Sequence, residues 1–303
     1  MSDSEATTSR SALRPAQIVE LSPSVTHLQG ATWECNCVVI RKGRYAIVGD
    51  ASWNPRDVET MRNFLDGYDT HILITHGDID HVSAIGACPQ ATVVGGPATS
   101  ERVASGSAGD DLAREAGRWG MEFVGEPRVD RIVRPGERVK LGDWHVTTVE
   151  TAGHAVDGLA YVIEEEGLFL VGDYLMASQH PMTWWSFREG RRSTERLVRT
   201  LDTLERVDLE WVVPGHGRVL SVPEARTVGE QDLAYMETVE RVSDEALREG
   251  VSSREWLLAV YAVPVPRPCA PDIEMLCPRL INIAAIFRDR DYGGHLPWQM
   301  DMA

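Results

Sequence analysis

The chain has 303 residues, 43 % of them hydrophobic, and a formal net charge of -16. That is length enough for one large domain or two smaller ones around a sizeable core. The negative balance argues against a nucleic-acid surface, which needs clustered Lys and Arg; the one arginine cluster, Arg188, Arg191, Arg192 and Arg196, is interrupted by Glu189 and Glu195 as on a solvated face.

Residues 1–16 are polar and small and are predicted to be disordered. The start, Met1-Ser2-Asp3-Ser4-Glu5, is acidic and has no apolar h-region, so no signal peptide is expected. From Ile18 to Asp50 the pattern is strand-like. Trp33 to Ile40 alternates and then turns continuously apolar, Arg41-Lys42-Gly43-Arg44 is a turn, and Tyr45 to Asp50 returns as the second arm of a hairpin. Cys35 and Cys37 would share one face of that strand and read as small buried hydrophobes. With Cys88, Cys269 and Cys277 they make five irregularly spaced cysteines, which is no disulfide framework and fits a reducing, cytoplasmic setting.

Pro55 opens a helix that runs to about Leu65. His71 to Ile74 is a buried strand, and it leads into Thr75-His76-Gly77-Asp78-Ile79-Asp80-His81, followed by a short helix to about Gly86. Ala91 to Gly96 is a strand, and residues 98–118 are predicted helical. Three strands follow, Arg131 to Val133, Glu137 to Leu141 and Trp144 to Val149, with Pro135-Gly136 and Gly142-Asp143 as turns. Thr151-Ala152-Gly153-His154 is a turn. Gly158 to Ile163 and Leu168 to Val171 are strands that end at Gly172-Asp173. Residues 174–192 read as a loop, Ser193 to Val207 as an amphipathic helix, and Glu210 to Val213 as a strand ended by Pro214-Gly215-His216-Gly217. Residues 222–303 read as helices only, with Ser252-Ser253-Arg254-Glu255 as a capping box. No apolar run is long enough to span a membrane.

One internal echo stands out. Tyr45-Ala46-Ile47-Val48-Gly49-Asp50 matches Leu168-Phe169-Leu170-Val171-Gly172-Asp173, and each is followed by a helix and by a strand ending in histidine, His76 or His216. The repeat predicts two related halves whose sheets face each other with helices outside and the histidine ends along one edge.

Within His76 to His81, four side chains able to bind metal leave one strand end. His76 and Asp78 point the same way on an extended segment, whereas adjacent Asp80 and His81 diverge, so one loop can feed two ions. Asp at a helix start also caps free N–H groups, but two histidines flanking two aspartates exceed what capping needs. His154, Asp173 and His216 end further strands or turns, each beside glycine, which lets the backbone turn its side chain into a shared cleft.

The order H-x-D-x-D-H, then Gly153-His154, Gly172-Asp173 and Pro214-Gly215-His216-Gly217, resembles the metallo-β-lactamase superfamily, whose usual motif is H-x-H-x-D-H. The resemblance covers about residues 18–220. It implies an α/β fold, a four-layer αββα sandwich of two mixed sheets over residues 17–221, with 222–303 as a helical extension forming a cap or an oligomer interface. It also implies two divalent ions. His76, Asp78 and His154 would hold one, Asp80, His81 and His216 the other, and Asp173 would bridge them around a shared water or hydroxide. Asp78 departs from the family pattern. Taken as a ligand it makes the site one charge unit less positive and oxygen-richer, which favours harder ions, so iron or manganese joins the family's zinc.

The resemblance implies a dinuclear hydrolase acting on a small-molecule ester, thioester, lactone or amide, with the metal-bridging hydroxide attacking a carbonyl and Asp80 managing protons. Two alternatives stay open: a di-iron oxygenase or oxidase suggested by the carboxylate at Asp78, and a binding protein with a vestigial site. Tyr174, His180, Trp184 and Trp185 follow the bridging aspartate and are candidate substrate contacts, with the two tryptophans as an apolar wall. The expected partners are a small-molecule substrate and, through the C-terminal helices, a second copy of the chain, with neither nucleic acid nor membrane.

Overall fold

The computed structural model describes residues 16–51, 54–107, 109–110, 113–114, 126–203, 207–269 and 278–290. Nearly all of the segment expected to be disordered, the far part of the 98–118 helix and Cys277 lie outside the described residues.

Seven strands form the first sheet in chain order: β1 (Gln17–Glu20), β2 (Val25–Gln29), β3 (Asn36–Lys42), β4 (Tyr45–Gly49), β5 (Asp69–Leu73), β6 (Thr92–Gly95) and β7 (Arg131–Ile132). β1 to β4 pair antiparallel and β4 to β7 parallel. Crossovers fill the parallel half: α1 (Pro55–Leu65) between β4 and β5, α2 (Ile79–Val82) between β5 and β6, and α3 (Pro97–Ala104) after β6. The second sheet has the order β12-β11-β10-β9-β8, from β8 (Arg138–Leu141), β9 (Trp144–Glu150), β10 (Leu159–Ile163), β11 (Leu168–Gly172) and β12 (Trp211–Pro214). α4 (Phe187–Thr203) crosses from β11 to β12, which pair parallel. The echo in the sequence is thus real in space: β4–α1–β5 and β11–α4–β12 are parallel pairs with a helical crossover.

The strand period of two separates the layers. Val38 and Ile40 of β3, Ile47 of β4 and Leu73 of β5 pack with Val146, Tyr161, Ile163 and Leu170 of the other sheet. Their neighbours Val39, Val48 and Ile72 pack outward with Val58, Met61 and Leu65 of α1. On the far side Ala160, Val162, Phe169 and Val171 meet Leu197 and Leu201 of α4. This is the four-layer sandwich, and each fully buried aliphatic side chain contributes about 1.5–3 kcal/mol.

A strand buried on both faces has no hydrophobic preference for one register, so polar pins must set it. Asn36, buried at the start of β3, supplies one. Its Nδ2 donates to Pro214 O at 2.8 Å and Gly217 O at 2.7 Å, and its Oδ1 lies 2.7 Å from His27 Nε2. The pin ties the start of β3 to the loop that carries His216.

The chain continues as α5 (Val222–Arg248), α6 (Ser253–Tyr261) and α7 (Pro278–Asp289). The capping box expected at Ser252 is formed, with Glu255 N donating to Ser252 Oγ at 3.3 Å and Ser252 N to Glu255 Oε2 at 2.9 Å. Met236, Val239, Trp256, Val260, Ile283 and Phe287 make a separate core, and Phe187 of α4 belongs to it. Here the sequence reading needs correction, because α4 begins at Phe187 and not at Ser193. The cause is Gly190, a poor helix former that stands where two backbones meet: a Cβ on Gly153 would lie 2.2 Å from Gly190 N. No helix among the described residues is long and apolar enough to cross a membrane.

Candidate metal centre

All seven predicted donors converge at one edge of the sandwich. His76 and Asp78 lie in the loop after β5, Asp78 at the N-cap position of α2 without a capping hydrogen bond from its side chain, and Asp80 and His81 lie within α2. His154 follows β9, Asp173 follows β11 and His216 follows β12. Glycine is required at two of these joints. Gly172 has φ +58°, and a Cβ on Gly215 would stand 2.0 Å from Asp173 Oδ1.

The imidazoles share one design. Each turns Nε2 inward and sets Nδ1 against an oxygen. His76 Nδ1 lies 3.1 Å from Thr75 Oγ1, His81 Nδ1 3.0 Å from Asp50 Oδ2, His154 Nδ1 2.8 Å from Met182 O and His216 Nδ1 2.8 Å from Trp33 O. Such outer contacts orient the rings with Nε2 inward; at His81 the contact with Asp50 is one of charge, since His81 Nδ1 has no hydrogen-bond partner. On the inner side, Asp78 Oδ2 lies 3.4 Å from Nε2 of both His76 and His154. Asp80 Oδ2 lies 3.2 Å from His216 Nε2 and 3.6 Å from His81 Nε2. Asp173 stands between the two sets: Oδ2 is 3.2 Å from His154 Nε2 and 3.3 Å from His216 Nε2, and Oδ1 is 3.3 Å from His81 Nε2.

These residues fit metal ions. Nitrogen and oxygen donors held at about 2.1 Å around one tetrahedral ion stand about 3.4 Å apart, which is the spacing found. The inward atoms His76 Nε2, His81 Nε2 and Asp173 Oδ1 are buried and have no hydrogen-bond partner, a costly condition that a cation would relieve. His76 with Asp78 and His154, and His76 with His81 and Asp173, are compact enough to hold an ion.

The electrostatics agree. Burial pushes the Asp78, Asp80 and Asp173 carboxyls up, but the facing imidazoles outweigh it and hold all three below the ordinary carboxylate range. Burial also pushes His81, His154 and His216 down, and the carboxylates outweigh it and raise them. Imidazoles and carboxylates thus stabilise each other's charged forms across the centre.

Four residues around the centre escaped the sequence reading. Asp50 has left-handed backbone, φ 49°, and accepts from Thr75 N and Thr75 Oγ1, both at 2.8 Å, while facing His81. The Gly49-Asp50 echo of Gly172-Asp173 was its signal. Arg102 and Asp157 adjoin Asp78 and had none. Cys35 was read as a buried hydrophobe like Cys37. It is buried, but its Sγ lies 3.5 Å from Asp80 Oδ2 and 3.6 Å from His216 Nδ1, and it forms a compact group with those two residues. Trp33 and Glu34, with φ 54° and 51°, break the strand before it, yet Cys35 still shares the buried cluster of Cys37 and Val39, as alternation predicts. Burial pushes the Cys35 thiol up to about 12.

The four candidate substrate contacts part ways. Trp184 and Trp185 are 39 % and 45 % exposed, and their amides donate to His154 O at 3.1 Å. Tyr174 is buried and its hydroxyl is engaged by backbone, accepting from His154 N at 2.9 Å and donating to Ala152 O at 3.1 Å. His180 is buried against the helical extension, with Nδ1 3.1 Å from Cys269 Sγ.

A family model described as the Metallo-beta-lactamase superfamily matches residues 30–216, more than half of the chain. The chain belongs to this superfamily. Within it, the hydroxyacylglutathione hydrolase of Methylobacterium nodulans is 30 % identical over 183 residues, which are 60 % of this chain and 61 % of that relative. The chain thus spans about three fifths of the relative's length. A metallo-beta-lactamase from Pontibacter korlensis superposes with TM-score 0.57 at 14 % identity, covering 73 % of this chain and 99 % of that one. The stereoselective inverting sec-alkylsulfatase Pisa1 from Pseudomonas sp. superposes with TM-score 0.65 at 13 % identity, covering 82 % and 46 %. At such identities the likeness to the solved structures is one of fold.

Proposed function

We propose that this superfamily member is a metal-dependent hydrolase of small carbonyl compounds, with thioesters the first class to test. The observation that carries the reading is the inward Nε2 atoms of His76 and His81, left without hydrogen-bond partners beside three buried or half-buried carboxylates. His76, Asp78 and His154 would hold one divalent ion, Asp80, His81 and His216 a second, and Asp173 both. Bound there, the ions would lower the pKa of a shared water and polarise a carbonyl oxygen. Every other role belongs to the chain. The Nδ1 contacts keep the rings from turning, Asp80 holds and passes on the proton, and Trp184 and Trp185 offer an apolar wall for the acyl group. The relative named hydroxyacylglutathione hydrolase supports the thioester, since its name describes an acyl group on the sulfur of glutathione.

Zinc is the metal this reading favours. The oxidase alternative drew on the charge of Asp78, and that charge faces Arg102. A cytoplasmic location fits the free thiols of Cys35 and Cys88. Self-association through the helical extension fits exposed Leu258 and Tyr261 on α6.

The test combines metal analysis of protein expressed with zinc, iron and manganese all available with a panel of thioesters, lactones and esters and with oxygen uptake. The expected result is bound zinc and thioester cleavage that a chelator abolishes and zinc restores. Oxygen consumption without hydrolysis, or protein that takes up no metal, would sink the proposal.

A further inference from the structure

We infer that Arg102 is a positioning residue that makes Asp78 serve a metal ion through one oxygen and offsets part of the charge that separates Asp78 from histidine; this rests on the metal-binding reading above. Arg102 stands on α3, outside the ligand loop. Its Nη1 donates to Asp78 Oδ1 at 2.8 Å and lies 3.4 Å from Asp157 Oδ1. Asp157 is buried behind it. Asp157 Oδ2 accepts from Gly77 N at 2.8 Å, and its carbonyl accepts from Thr99 Oγ1 at 3.2 Å. Asp157 thus grips the ligand loop at Gly77 and α3 at Arg102 through its carboxylate, and α3 at Thr99 through its backbone carbonyl. Gly77 has to be small for this: a Cβ there would meet Asp157 Oδ2 at 2.9 Å and Arg102 Cδ at 3.1 Å.

The two oxygens of Asp78 are divided. Oδ2 faces His76 and His154, and Oδ1 belongs to Arg102. A free carboxylate can turn and offer both oxygens to one cation. One whose second oxygen is held by a guanidinium cannot. The Arg102 side chain is 19 % exposed, so water screens the pair less than it would a surface bridge. Asp157 takes a share of the same guanidinium from the far side, so the offset at Asp78 is partial. The consequence concerns metal choice. The anionic, hard character that Asp78 brings by itself is muted, and two imidazoles with one oxygen of reduced charge suit zinc.

The test is a double-mutant cycle on the full chain. Zinc affinity is read by competition with a chromophoric chelator, and metal uptake by elemental analysis with zinc, iron and manganese present. Arg102→Gln removes the charge and keeps an amide that can serve Asp157. It is expected to lower zinc affinity about tenfold and to raise the share of iron and manganese taken up. Asp78→His leaves the guanidinium facing an imidazole and is expected to weaken zinc to a similar degree. The double variant Asp78→His/Arg102→Gln should bind within about threefold of wild type, because each change removes the other's penalty. Losses that simply add in the double variant overturn the inference. So does a loss in Arg102→Gln that merely follows the fraction of metal-stripped protein still folded, read from its unfolding curve. Wild type that binds no metal overturns both this inference and the metal-binding reading, whereas an additive cycle with zinc bound overturns this inference alone.

Discussion

The two halves of the centre are anchored to different parts of the molecule. His81 and His216 take their Nδ1 partners from inside the sandwich: Asp50 at the end of β4 and Trp33 O just before β3. His154 takes its partner, Met182 O, from the loop between β11 and α4, and that loop is held by the helical extension. Asn282 of α7 accepts from Thr183 N and Thr183 Oγ1 at 2.9 Å each, and its Nδ2 donates to Pro181 O at 2.7 Å. The halves also differ in access. Asp80 is buried with Cys35 beside it, whereas the Asp78 side chain is 31 % exposed and ion-paired to Arg102. One half is a product of the sandwich alone. The other takes one Nδ1 partner, Thr75 Oγ1, from the sandwich and one, Met182 O, from a loop bonded to the C-terminal helices, and it adds a rim arginine.

The largest effect is expected where the halves meet. Asp173→Asn keeps the shape but removes the charge that faces both sets. Thioester hydrolysis should fall on the order of 10²–10³-fold, and both ions should be lost together in metal analysis. Loss of one ion only would break the view of Asp173 as common to both. Next comes Asp50→Asn, which turns the acceptor facing His81 Nδ1 into an amide. It should weaken metal binding about 10–100-fold, most at the half that Asp50 faces directly through His81 and less at His76, which it reaches only through Thr75 Oγ1. Equal weakening at both halves, seen by stepwise zinc titration, would show that the halves are not anchored separately.

The sequence discloses the donors and conceals their supports, for a physical reason. A ligand at a strand end must sit beside a tight turn, so His154, Asp173 and His216 each bring a neighbouring glycine, and the αββα layers follow from strands with alternating or continuous apolar runs. The supports obey no such local rule. Asn282, Arg102 and Asp157 act across 99, 24 and 80 residues of chain in their bonds to Thr183, Asp78 and Gly77. Their hydrogen bonds exist only once the helices are docked. Cys35 is buried on the face of Cys37 as period-two reasoning expects, but the Asp80 and His216 beside it come from chain 45 and 181 residues away and leave no local trace. Asp50 lies between these cases, since the repeated Gly-Asp pair marks it although nothing nearby says what it supports.

Asn282→Ala is the next smaller test and addresses the extension directly. It leaves the Thr183 hydroxyl and amide and the Pro181 carbonyl without their buried partner, at a cost of about 1–3 kcal/mol in stability. If the extension holds the first half in place, the affinity set by His76, Asp78 and His154 should also weaken, while the half around His81 and His216 should not. A purely global loss of stability, with zinc affinity unchanged in the folded protein, would reduce α7 to a packing element.

An effect of comparable size, confined to acid pH, concerns the contact between the post-Asp173 loop and the extension. Burial, with the charges of Arg279 and Arg267, holds the His180 imidazole down at about 4 against an ordinary value of 6.5. The folded state therefore binds fewer protons than the unfolded chain between those values, and stability must rise with pH across that window. His180 adds its full share above about pH 6.5 and loses it as the pH falls toward 4, by about 3 kcal/mol at most. His81, His154, His216 and the three aspartates of the candidate centre are shifted as well, so the useful quantity is the difference between wild type and His180→Phe. An aromatic ring at this position can keep the edge contact with Tyr235, now at 6.1 Å between ring centroids, and does not titrate. The variant should gain on wild type as urea unfolding midpoints are followed from pH 7 down to pH 4.5. A constant difference over that range would mean that the imidazole takes up its proton without leaving the interface, and that the extension holds the loop by packing and by Asn282 alone.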